Sequence, residues 1–112
     1  MAKLNYVELS VESIATVRPF YENAFGWTFT EYGPDYAAIE GGATTVGFNA
    51  DTTQPTPPVL PLIEVTDLEA ALASATAAGG TLRVPIFAYP GGRRFHIVDP
   101  AGHEIGVYQS EH

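Results

Sequence analysis

Side chains of alternating character open the chain, and this period of two predicts a half-buried strand over residues 4–11. One face of that strand carries Leu4, Tyr6, Glu8 and Ser10. A helical period follows, with Ser13 as its N-cap and Gly26 as the residue that ends it. Pro19 removes one backbone hydrogen bond, so we expect a kink in this helix or a delayed start of its regular part.

Three further strands are predicted in the first half of the chain, over residues 27–32, 36–40 and 44–49. Residues 51–58 follow with three prolines and three threonines, which is the composition of a linker. The same order of elements then begins again, because an apolar strand over residues 59–65 leads into a helix from Leu68 through Ala78 that Asp67 caps.

The second half continues with predicted strands over residues 81–84, 94–98 and 104–109, and with a long loop over residues 87–92. A displacement of 54 residues places Val11 on Val65 and Ser13 on Asp67, so the halves repeat in pattern. We therefore predict an α+β domain made of two βαβββ modules. Module one comprises residues 1–50, the linker residues 51–58 and module two residues 59–112.

Charge and composition restrict the partners of such a domain. Thirteen acidic residues against five basic ones give a net charge of −8, which repels nucleic-acid backbones and anionic membranes. The chain has no cysteine, so thiolate metal sites and thiol nucleophiles are excluded. No signal peptide and no apolar run of membrane-spanning length is visible, and we expect a cytoplasmic protein.

Several strings resemble one known family. The segment VELSV at residues 7–11, the segment FYENAFGW at 20–27 and the segment FHIVDPAGHEIGVYQ at 95–109 are similar to strings of the vicinal oxygen chelate superfamily. That family includes glyoxalase I, extradiol dioxygenases, fosfomycin-resistance enzymes and bleomycin-binding proteins. YGPDY at 32–36 and PGGRRFH at 90–96 resemble a subgroup of small bacterial glyoxalase-like proteins. The resemblance covers essentially the whole chain and implies that two modules, from one chain or across a dimer, enclose a cup.

The resemblance also implies four positions at which the family's enzymes hold a divalent metal, usually with histidine and glutamate. Here those positions carry Tyr6, Gly47, Leu60 and Gly106. Leucine and glycine side chains cannot ligate a metal and a neutral tyrosine is a poor ligand, so we expect no metal and no other cofactor. At the two glycines we expect a roomier and drier cup floor. A register slip of two would instead bring Glu8 or Glu104 to the site, which leaves a weak cation site as an alternative.

Ten residues are predicted to bind the ligand: Tyr6, Glu8, Trp27, Gly47, Leu60, Leu62, Arg94, Glu104, Gly106 and Tyr108. Glu8 and Glu64 either orient a ligand or face water, and Trp27 either lines the cavity or belongs to the core. Arg94 and its neighbour Arg93 either clamp an anionic group or pair with the protein's own carboxylates. The loop over residues 87–92 could close over the cup mouth.

His96 is the candidate for a catalytic residue, as a general base; the alternative is a purely structural hydrogen-bonding role. The favoured function is metal-independent binding of a small, partly aromatic organic molecule by a homodimer. One alternative is a lyase, isomerase or dioxygenase of the same superfamily, with a displaced metal or with metal-free acid–base chemistry at His96. The other is a module that acts only by associating with another protein.

Overall fold

The computed structural model describes residues 2–51, 53 and 56–111. Within these residues the chain forms eight strands and two helices in the predicted α+β order. In chain order they are β1 (Lys3–Ser10), α1 (Ile14–Phe25), β2 (Thr30–Glu31), β3 (Tyr36–Ile39), β4 (Thr45–Asn49), β5 (Val59–Glu64), α2 (Leu68–Ala77), β6 (Thr81–Tyr89), β7 (Gly92–Val98) and β8 (Glu104–Ser110). The predicted fold class is confirmed. In the predicted linker, Thr52, Gln54 and Pro55 lie outside the described residues.

The chain divides into two compact units, which are called here the first unit (residues 6–60) and the second unit (residues 1–5 and 61–112). The first unit orders its strands β2-β3-β4-β1, with β1 parallel to β4 and β3 antiparallel to it. One sheet face packs against α1 around the buried Phe29, Ala37 and Phe48. Side chains alternate between the two faces along β1, so Tyr6 and Glu8 point to the opposite face of the sheet.

The ends of α1 follow the predicted caps. The Ser13 hydroxyl accepts a hydrogen bond from the Thr16 amide at 3.4 Å, and Gly26 ends the helix with φ of 68° in the left-handed region. The helix begins directly after Ser13 and continues through Pro19, which is exposed. The expected delay of the regular helix is therefore wrong, and the helix continues although Pro19 has no amide hydrogen to donate.

The second unit orders its strands β5-β8-β7-β6. Its core joins Leu68 of α2 to Phe95, Ile97 and Val107 on one sheet face. The Asp67 carboxylate caps α2 and accepts a hydrogen bond from the Ala70 amide at 3.1 Å. The residues that alternate with these core residues along the same strands point to the opposite face.

Two predicted elements need correction. Only Thr30–Glu31 of the predicted strand over residues 27–32 pairs in the sheet, because Trp27 and Phe29 pack into the core of the first unit. The predicted loop over residues 87–92 is wrong as well. β6 extends to Tyr89, where Tyr89 pairs with Gly92 across a tight turn.

Pro85 explains the second error. A proline in a strand usually argues against that strand, but β6 is the last strand in its unit's order and needs no hydrogen bond on its outer side. The pairing of β6 with β7 also shifts register on both sides of Val84, which accommodates Pro85 within the strand. Neither helix of the described residues has the length and apolar composition that crossing a membrane requires.

Truncation of the second unit's core tests this packing. Leu68→Ala removes a fully buried side chain and should lower the free energy of unfolding by about 2–5 kcal/mol, since a cavity remains. The matched control Leu82→Ala alters an exposed leucine of β6 and should cost less than about 1 kcal/mol. Chemical denaturation of both variants measures the difference, and equal losses would contradict the packing of Leu68.

Candidate functional site

The face of the first unit that points away from α1 carries a chain of hydrogen bonds. The Tyr6 and Tyr36 hydroxyls are hydrogen-bonded to each other, and the Tyr36 hydroxyl donates to Glu8 Oε2 at 3.2 Å. Asn49 Nδ2 donates to Glu8 Oε1 at 3.5 Å. The strand register brings these groups together, because Glu8 lies opposite Gly47 and Tyr36 lies opposite Asn49.

Glu8 lies inside the protein, with only 2% of the residue exposed. The alternative that it faces water at a rim is therefore wrong. A buried carboxylate needs hydrogen-bond donors, and Tyr36 and Asn49 supply them. Burial raises the pKa of Tyr36 far above its ordinary value, and the nearby Glu8 and Tyr6 raise it further. Tyr36 therefore stays protonated and remains a donor to Glu8.

The predicted open floor at Gly47 is also wrong. A Cβ atom built at Gly47 would overlap the Tyr36 hydroxyl and would lie 2.8 Å from the Tyr6 hydroxyl and 2.9 Å from Tyr36 Cζ. These separations are shorter than packed atoms tolerate. The tyrosine pair thus fills the space in front of Gly47, and the predicted open floor does not exist at this position.

The positions that the resemblance assigns to metal ligands do not fit a divalent metal. Leu60 is fully buried and apolar, and Gly47 and Gly106 have no side chain. The Tyr6 hydroxyl is hydrogen-bonded to the Tyr36 hydroxyl. Divalent metals in such sites are held by imidazole nitrogens and carboxylate oxygens. Within the described ranges, no group of three or more histidine, aspartate or glutamate side chains is placed to hold a metal ion.

The second unit places His96 and Glu104 together on the face away from α2. His96 is 2% exposed, and its Nδ1 lies 2.8 Å from Glu104 Oε2. A hydrogen on Nδ1 donates to this carboxyl oxygen, which fixes the tautomer of the ring. Gly106 lies opposite His96 in the sheet, and the buried Leu62 lies opposite Gly106. Glu104 and Gly106 are thus neighbours of His96, and Leu62 is a neighbour of Gly106.

A second polar cluster on this face surrounds Glu64. Its carboxylate accepts hydrogen bonds from Asn5 Nδ2 and from Ser110 Oγ, each at 3.0 Å. The Tyr108 hydroxyl donates to Asn5 Oδ1 at 2.6 Å. Tyr108 and Glu64 are therefore held in fixed orientations by their own unit.

The two adjacent arginines have different surroundings. The Arg94 guanidinium lies over the rings of Phe87 and Tyr89, 5.3 and 5.7 Å from their centroids. Arg93 forms an ion pair with Glu69 of α2. The expectation that arginine pairs with the protein's own carboxylates thus holds for Arg93. Phe87 and Tyr89, the rings beside Arg94, belong to β6 and not to the predicted loop over residues 87–92.

Trp27 is not part of these clusters. It packs against the core around Phe29 and Phe48 and stacks on Tyr21 at a centroid distance of 5.3 Å. The sequence reasoning also missed Tyr36 and Asn49, which meet Glu8 only through the pairing of β4 with β1 and of β3 with β4. The alternation along the predicted strand over residues 36–40 indicates on which face Tyr36 lies. It does not indicate which side chain on a neighbouring strand Tyr36 contacts.

A family model described as the Glyoxalase/Bleomycin resistance protein/Dioxygenase superfamily matches residues 3–107. No curated protein matches the chain.

Solved structures similar to the chain include the following three. A hypothetical protein from Bacillus halodurans C-125 has a TM-score of 0.80 and 17% identity, over 99% of this chain and 96% of that one. A superfamily member from Vibrio splendidus 12B01 has a TM-score of 0.67 and 16% identity, over 99% and 100%. The Mn(II)-bound glyoxalase from Novosphingobium aromaticivorans has a TM-score of 0.67 and 18% identity, over 97% of this chain and 40% of that one. At these identities the likeness shows a common fold.

Removal of one hydroxyl tests the cluster around Glu8. Tyr36→Phe deletes a donor to a buried carboxylate and should lower the free energy of unfolding by about 1–3 kcal/mol. The matched control is Tyr32→Phe, because the Tyr32 hydroxyl donates to the carboxylate of Glu40 at the exposed surface. That variant should leave stability nearly unchanged. Equal effects in denaturant titrations would show that the Tyr36 hydroxyl does not support Glu8.

Proposed function

The chain belongs to the Glyoxalase/Bleomycin resistance protein/Dioxygenase superfamily, and from this premise we propose that it binds a small, partly aromatic organic molecule without a metal or other cofactor. The observation that carries the proposal is the donor set at the four metal positions. Gly47, Leu60 and Gly106 offer no ligand atom, and the Tyr6 hydroxyl is engaged by Tyr36. The Novosphingobium glyoxalase, by contrast, is Mn(II)-bound.

The second unit supplies groups suited to an organic ligand. Phe87 and Tyr89 offer aromatic rings, and the buried Leu62 offers an apolar wall. The His96–Glu104 pair adds a hydrogen-bonding group whose orientation is fixed. Apolar walls with a few oriented polar groups are typical of small-molecule sites. The proposed ligand surface comprises Leu62, Arg94, Glu104, Gly106 and Tyr108 together with His96.

Ligand binding in the presence of a chelator tests this function. Small aromatic compounds that raise the melting temperature should bind with the same Kd in calorimetry with and without EDTA, since no metal takes part. Gly106→Leu should weaken that binding at least about tenfold, because it places a side chain beside His96 and Leu62. The control Gly42→Leu, in the first unit, should not change the Kd.

A loss of binding on adding EDTA that Mn²⁺, Zn²⁺ or Ni²⁺ restores would contradict the metal-free function. A large loss of stability in Gly106→Leu would show that Gly106 is closely packed, and would remove it from the ligand surface.

Metal-free acid–base catalysis is the second candidate function, and the contact between His96 and Glu104 favours it. A carboxylate on Nδ1 directs the basicity of the ring to Nε2, as a general base requires. The compounds that bind would then be converted slowly, and His96→Gln would abolish conversion while retaining binding. Mass spectrometry of incubated compounds decides between the two functions, because simple binding leaves every compound unchanged.

A homodimer is the proposed assembly. Phe20 and Phe25 of α1 are each more than half exposed, and large apolar side chains at a surface favour association. Light scattering at micromolar concentration should give twice the chain mass. Phe20→Glu should reduce that mass, whereas Thr16→Glu on the same helix should not. A monomer at every concentration would contradict the dimer.

A further inference from the structure

Gly47 and Tyr36 occupy one volume in the first unit. The backbone of Gly47 lies outside the left-handed region, so backbone geometry alone would accept any residue there. Space is the restriction, since a Cβ at this position would overlap the Tyr36 hydroxyl and approach Tyr36 Cζ to 2.9 Å. A carboxylate side chain at position 47 would extend further into the same ring.

Tyr36 cannot easily move aside. Its hydroxyl donates to Glu8 Oε2 at 3.2 Å and is hydrogen-bonded to Tyr6. Glu8 is buried, so a displaced Tyr36 would leave a buried carboxylate with one donor fewer. The cost of placing a side chain at position 47 therefore includes the loss of this hydrogen-bond chain.

The Tyr36 ring also fills the second of the two positions at which the resemblance implies a metal ligand in this unit. The resemblance places one family ligand at position 6 and another at position 47, and here Tyr6 and the ring in front of Gly47 are joined through their hydroxyls. We infer that Tyr36 is a specificity-determining residue of the first unit: its ring bars a ligating side chain from position 47 and its hydroxyl engages Tyr6, so this unit does not fit the metal that the resemblance implies. This inference rests on the proposed metal-free function.

A double-mutant cycle tests the coupling of the two positions. Gly47→Ala should lower the melting temperature by about 5–15 °C in the natural chain. In the Tyr36→Ala background the same change should cost much less, since the Tyr6 hydroxyl, 2.8 Å from the built Cβ, can then shift into the vacated space. Gly42→Ala is the control, because its nearest neighbour would be the Thr44 carbonyl oxygen at 3.7 Å and its melting temperature should be unchanged.

If Gly47→Ala does not fold alone, recovery of folding in the Gly47→Ala/Tyr36→Ala chain supports the inference. An equal loss of melting temperature in both backgrounds overturns it.

A metal titration gives a readout that packing alone would not move. The chain carrying Tyr6→His, Gly47→Glu and Tyr36→Ala brings an imidazole and a carboxylate beside Glu8, which lies opposite position 47. Ni²⁺ at about one hundred times its Kd should raise the melting temperature of this chain by several degrees. The matched chain with alanine at all three positions should not respond, and neither should the chain with Tyr6→His and Gly47→Glu that retains Tyr36.

A Ni²⁺ response that is equal in all three chains, or absent from the first, overturns the inference. A Ni²⁺ titration of the unaltered protein distinguishes failure of the inference about Tyr36 from failure of the proposed function. Binding by the unaltered protein would contradict the metal-free function, whereas the double-mutant cycle judges the coupling of Tyr36 with Gly47 on its own.

Discussion

A carboxylate withdrawn from water must find its hydrogen-bond donors within the protein, and the arrangement around Glu8 follows from that requirement. Tyr36 and Asn49 donate to Glu8, and Tyr6 continues the chain through Tyr36. These side chains meet only because β1, β3 and β4 pair in one register, since a shift by one residue would turn each to the other face. The buried carboxyl group and the strand register of the first unit are therefore interdependent.

Much of the fold could be predicted from local pattern. The alternation in β1 places Tyr6 and Glu8 on the correct face, and Ser13, Gly26 and Asp67 mark the helix ends because capping depends on residues close in sequence. β6 could not be predicted in the same way. Pro85 and the run from Pro90 to Gly92 have the composition of a loop, whereas tolerance of Pro85 depends on the position of β6 at the end of its unit's strand order.

The sequence predicts on which face of its strand each site residue lies, but not which side chains that residue contacts. The pattern places Glu104, Gly106 and Tyr108 on one face of β8, as the register shows. It does not predict that Tyr36 fills the space in front of Gly47, because that depends on a partner eleven residues away across the β3–β4 pairing. A glycine read alone indicates open space, and only its neighbours decide whether the space exists. Fold and family membership likewise leave the chemistry to these individual contacts.

The irregular pairing of β6 has a consequence for behaviour at high concentration. A terminal strand presents unpaired amides and carbonyls, to which a strand of another molecule can add in an open-ended series. Pro85 lacks an amide hydrogen, and the register shifts around Val84 interrupt the even spacing that such an addition needs. The feature that hides this strand from prediction thus also protects the sheet of the second unit from fibrillar aggregation.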